Sequence, residues 1–125
     1  MEIDHINIKA PPELLERVRE FYCGVLGLKE GFRPALSSAG HWLYGGGKPL
    51  VHLSRAQAPH ANSEGGSLDH VAFRVQDGAA FRERLELSGI SYRSSQVEEL
   101  ELVQFFLRDP AGNGIEVNYF YGGKE

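Results

Sequence analysis

The stretch GSLDHVAFRV, residues 66–75, decides how the chain is read. Apolar residues alternate along it, with Val71, Phe73 and Val75 on one side and His70 and Ala72 on the other. That is the period of a strand with one buried face. EIDHINI, residues 2–8, repeats the design: Ile6 and Ile8 share one side, His5 and Asn7 the other. Each time an Asp-His pair opens the run, and the histidine stands off the apolar face.

The order of elements after each run is repeated too. Residues 3–9 read as a strand, and Pro11-Pro12 then opens a helix, where proline is tolerated in the first turn. Leu14, Val18, Phe21, Tyr22 and Val25 give that helix an apolar stripe, and Gly27 is its stop. Strand candidates come next at residues 31–35, 41–44 and 50–54, with turns at 37–40 and in the glycine run 45–49. SRAQAPHANSEGGS then reads as a linker. In the second half a strand over 68–75 precedes a helix capped by Asp77, carrying Phe81, Leu85 and Ser88 on one face and ended by Gly89. Strands are expected at 91–94, 100–107 and 115–120, with the DPAGN turn from Asp109 before the last. The expected fold is α+β: one domain, 1–125, of two βαβββ modules, 1–55 and 66–121, joined by a linker over 56–65.

Composition narrows the function classes. The chain has 125 residues, 42% hydrophobic and 24% charged, enough to bury a core. A net charge of −4 with no basic run longer than a pair argues against a nucleic-acid partner. No apolar run approaches a membrane span, and the alternating, acidic N-terminus is no signal peptide. The lone Cys23 excludes an internal disulfide, so a cytoplasmic setting is the default expectation. Cys23 itself reads as a small packing residue, with no adjacent base to activate it.

The repeat extends to chemistry. His5 and His70 occupy matching places in the first strand of each half; His52, in PLVHLSR, and Glu116, in GNGIEVNY, stand in the last strands. His5 and His52 are 47 residues apart, and His70 and Glu116 are 46 apart. Parity puts all four on the side away from the helices, along with Asn7 and Asn118. Imidazole and carboxylate together suit Fe²⁺, Mn²⁺, Ni²⁺, Co²⁺ or Zn²⁺ and leave positions open for substrate oxygens. Of His41 and Trp42, one faces this side; alternation leaves open which. His60, in the linker, reads as solvated, while Arg33 and Arg108 are candidates to meet an anionic substrate.

The stretches DHINIKA, FYCGVLGLKEG, LDHVAFRV and FFLRDPAGNGIEV resemble the vicinal oxygen chelate superfamily, over about residues 3–120. That superfamily includes glyoxalase I, extradiol dioxygenases, fosfomycin-modifying enzymes and bleomycin-resistance proteins. The resemblance implies that each module curls into a glyoxalase-like half-barrel, that a homodimer completes the pair, and that one divalent metal per site lies between modules. No organic cofactor is implied. Carried over, the metal ligands are His5, His52, His70 and Glu116, with Glu116 and His52 moving the proton. On strand parity alone, Asn7, Gln104 and Asn118 would orient a small-molecule substrate, and Phe106 would line its site. Glyoxalase I-like proteins commonly have Glu or Gln where His52 stands. The expected activity is glyoxalase-like lyase or isomerase chemistry on a small oxygenated substrate. The alternatives are an Fe²⁺ extradiol-type dioxygenase, weakened by Phe106 in place of a tyrosine, and a non-enzymatic drug-binding protein of the bleomycin-resistance type.

Overall fold

The alternation of Ile6 and Ile8 becomes β1, Ile6–Ala10, in which exposed and half-buried residues alternate up to the buried Ala10. The computed structural model describes residues 1–57 and 67–122. It forms two compact units, Met1–Ala61 and Asn62–Glu125. The linker expected over 56–65, with His60, lies almost wholly outside the described residues. Its first residue, Ala56, is buried and donates its backbone N–H to Ala10 O at 2.8 Å, so the first unit continues past residue 55.

In the first unit, extended Pro11 caps α1, Pro12–Gly24, and Pro12 needs no N–H partner there. Leu15, Val18, Phe21 and Tyr22 are its buried residues. Leu15, not the expected Leu14, joins the stripe: three before Val18 and seven before Tyr22, it lies over both on the side packed against β1, β3 and β4. Then come β2, Lys29–Gly31, β3, Gly40–Gly45, and β4, Lys48–Arg55. Gly46 and Gly47, with φ of 59° and 81°, make the two-residue β3–β4 turn that side chains would strain. The sheet order is β1-β4-β3-β2, with β1 parallel to β4.

The second unit repeats the plan. β5, His70–Arg74, leads to α2, Gly78–Ser88, whose N-cap Asp77 accepts from Ala80 N and whose C-cap Gly89 is left-handed. β6, Arg93–Val97, β7, Leu102–Arg108, and β8, Gly114–Phe120, complete a sheet in the order β5-β8-β7-β6. Phe81, Leu85, Phe105, Ile115 and Val117 form its core. The strands expected at 3–9, 68–75 and 100–107 begin two or three residues later, as β1, β5 and β7, and two others differ more. The one placed at 31–35 is β2, and the one placed at 91–94 is shifted to β6. Both are edge strands, and pairing with β3 and β7 sets their position where exposed residues carry no apolar pattern. No described helix is long and apolar enough to cross a membrane.

Candidate functional site

In both units the first and last strands run side by side and parallel, so residues distant in sequence become neighbours. In the first, Asn7 is registered with His52, and His52 with Trp42. Trp42 therefore shares the His52 face, while His41 turns to the other side, where its Nδ1 meets Glu30. The His52 ring lies between two others: His5 at 3.7 Å and 11°, and Trp42 at 4.0 Å and 13°. Its Nε2 is buried with no hydrogen-bond partner among the described residues. Burial, then the His5 charge, holds its pKa below the usual imidazole value. Parallel rings this close cannot aim in-plane lone pairs at one ion, so His5 and His52 do not converge as a ligand pair in this arrangement. Asn7 Nδ2 donates to Ser54 Oγ at 3.0 Å.

His5 itself precedes β1, and its Nδ1 lies 2.7 Å from Asp4 Oδ2. His70 is built alike, with Nδ1 2.9 Å from Asp69 Oδ2. The sequence pattern reads both aspartates as strand-opening residues facing away. Instead each carboxylate holds the ring of the next residue and leaves Nε2 as the outward nitrogen. Parity cannot detect this, because the contact is between adjacent side chains at the strand mouth. The hydrogen bond to Asp69, helped by the Glu116 charge, raises the His70 pKa, and the same bond lowers that of Asp69.

His70 Nε2 lies 3.2 Å from Glu116 Oε1. The other carboxylate oxygen, Oε2, accepts from Gln104 Nε2 at 3.1 Å and Asn118 Nδ2 at 2.8 Å. The β7–β8 turn fixes this register. Buried Asp109 accepts through Oδ1 from the backbone N–H groups of Ala111 and Asn113, and through Oδ2 from Asn113 Nδ2, each at 2.9 Å. Glu116 then stands opposite Phe106 and Asn118 opposite Gln104, on one face. Asn118 Oδ1 is buried without a partner among the described residues.

The residue types and spacing in the second unit suit a metal. Donors each about 2.1 Å from one ion and at right angles to each other stand about 3 Å apart, close to the His70–Glu116 separation. The Asp–His contact supplies the outer hydrogen bond that ligating histidines commonly make. Within neither unit do three or more described His, Cys, Asp or Glu side chains form a group able to hold an ion. Each unit thus brings together one pair of the expected residues: His5 with His52, and His70 with Glu116.

Cys23 stands apart from these pairs. Burial raises its thiol pKa, only partly offset by Arg19. Less thiolate is then present at a given pH than for an ordinary thiol. Iodoacetamide at pH 8 is expected to modify Cys23 several-fold more slowly than glutathione, with the rate still climbing above pH 9. A mass-spectrometric time course measures it, and a rate that levels off below pH 8 would contradict the raised pKa.

The Glyoxalase/Bleomycin resistance protein/Dioxygenase superfamily model matches residues 2–117. Glyoxylase I 4 of Arabidopsis thaliana is 29% identical over 122 residues, 92% of this chain and 68% of that protein. Among solved structures, a glyoxalase family protein from Bacillus anthracis has 26% identity and a TM-score of 0.74, covering 96% of this chain and 95% of that one. Lactoylglutathione lyase from Agrobacterium tumefaciens, at 22% identity, TM-score 0.66 and coverage of 94% and 92%, is alike in fold.

Proposed function

The chain belongs to the glyoxalase/bleomycin resistance protein/dioxygenase superfamily, and on that basis we propose a divalent-metal-dependent, glyoxalase-like lyase or isomerase acting on a small oxygenated substrate. The observation that carries the reading is the His70 Nε2–Glu116 Oε1 pair at 3.2 Å, each partner held from behind. In this reading His70 and Glu116 ligate the ion and His5 is the third ligand. When bound, the ion supplies Lewis-acid polarisation of a chelated substrate oxygen.

The chain's own residues do the rest. Asp4 and Asp69 orient the two imidazoles through Nδ1, so that Nε2 is the ligating nitrogen. Gln104 and Asn118 hold one Glu116 oxygen and leave the other for the ion. We assign ligation to His5 and proton transfer to His52, because the parallel stack keeps the two from sharing an ion. Trp42 covers the far face of His52 and keeps water from it, and the unpartnered Nε2 is the atom that takes the proton. Asn118 Oδ1, also unpartnered, accepts from a substrate hydroxyl.

Elemental analysis of protein purified without an affinity tag tests the reading. Wild type is expected to carry about one divalent ion per chain, His5→Ala to lose it and His52→Ala to keep it. A wild type that takes up no Ni²⁺, Mn²⁺ or Fe²⁺ on reconstitution would make this a binding protein and sink the proposed chemistry.

A further inference from the structure

A cavity of about 600 Å³ opens in the second unit where β5 and β8 begin and β7 ends. That is within the usual size of small-ligand sites. Asp69, His70, Tyr92, Arg93, Phe106 and Arg108 are among its walls. Three strands contribute one row to it, with Arg108 registered to Gly114 and Gly114 to His70. The middle position carries no side chain. A Cβ on Gly114 would lie 2.4 Å from Asp69 O and 3.0 Å from His70 Cβ, so only glycine keeps this row open.

Arg93 is directly opposite Phe106 across β6 and β7, and its guanidinium lies 4.8 Å from that ring's centre. The contact seats the guanidinium on the ring face, from which its N–H groups can still donate. Arg108, two residues beyond Phe106, projects to the same face, diagonal to Arg93. Such positions are about 7–8 Å apart, within reach of long side chains. Arg108 spends Nη1 on Gly112 O at 2.7 Å. Among the described residues, neither arginine forms an ion pair with a carboxylate. Asp69, the acid on the cavity wall, is held by His70 Nδ1 and also feels the Arg108 charge, without coming within ion-pair distance of it. Two diagonal cations on one face repel each other until an anion joins them.

We infer that this cavity binds an oxyanion, the carboxylate or phosphate of a small substrate, through Arg93 and Arg108. The substrate's other end then reaches His70 and Glu116. That second step rests on the metal-site proposal, whereas anion binding itself does not.

Calorimetric titration of metal-free protein with inorganic phosphate, and separately with succinate, tests it, with succinamide as the neutral control. Wild type is expected to bind at least one oxyanion with a Kd on the order of 1 mM and to ignore succinamide. A response to succinate alone identifies a carboxylate site, and a response to phosphate alone a phosphate site. Arg93→Gln and Arg108→Gln are each expected to weaken binding by about tenfold. Should Arg108→Gln unfold for want of its bond to Gly112, Arg93→Gln decides alone, since Arg93 touches the fold through a ring stack. Wild type silent to both anions at about fifty times that Kd, or undiminished binding in Arg93→Gln, overturns the inference. A failed metal proposal would show in the elemental analysis and leave these titrations unchanged.

Discussion

Glu116→Ala is expected to weaken divalent-metal binding by at least about a hundredfold. Loss of an outer hydrogen-bonding partner alone typically costs 10–100-fold, and Glu116 is proposed as a direct ligand. Glu116→Gln separates ligand chemistry from folding. A glutamine oxygen placed where Oε2 now lies still accepts from Gln104 and Asn118. Its amide then donates to His70 Nε2, which is an acceptor when Nδ1 carries the proton towards Asp69. The fold is kept and the charge is lost. Competition against a chelator of known affinity measures the effect, with thermal melting as the control. A Glu116→Gln protein that melts like wild type and holds metal as tightly would remove Glu116 from the ligand set.

Phe105→Ala should cost about 3–5 kcal/mol, a large part of the 5–15 kcal/mol that holds a typical domain folded. Phe105 is 1% exposed. Its ring meets Phe81 edge-on at 5.3 Å and Tyr92 at 6.1 Å, and the Arg82 guanidinium lies 5.0 Å from its centre. A methyl group cannot fill that space, and Phe81 and Arg82 of α2 would lose their ring contact with the sheet. Phe106, one residue on, points to the other face, so Phe106→Ala is expected to cost less than half as much. Urea unfolding of the two variants side by side measures the difference. A larger loss for Phe106→Ala would mean that the two faces of β7 are assigned the wrong way round.

These expectations rest on features of unequal legibility. Ile6 and Ile8, or Val71 and Phe73, announce their strands because alternate burial is local. Asp77 and Gly89 bracket α2 for the same reason: a cap acts within three or four residues. The shared face of His70 and Glu116 also came from parity, once the repeat was seen. Edge strands were harder. β6 carries Arg93, Ser94, Ser95 and Gln96, all exposed, so nothing but pairing with β7 determines where it begins. The shift matters, because it brings Arg93 opposite Phe106 and onto the cavity wall. The stacking of His5, His52 and Trp42 was out of reach for another reason. Alternation tells which face a ring occupies, and the angle between rings depends on packing across β1, β4 and β3. The aspartate before each histidine escaped for want of a rule about adjacent side chains.

The ring stack in the first unit has an optical side. Trp42 is the chain's only tryptophan, and it lies 4.0 Å from the His52 ring. Tryptophan fluorescence, excited at the red edge where tyrosine does not absorb, is therefore a single-site signal, and protonation or displacement of His52 changes the emitter's nearest neighbour. The native chain carries its own reporter on the face where Asn7, His52 and Ser54 stand, without labels or added chromophores.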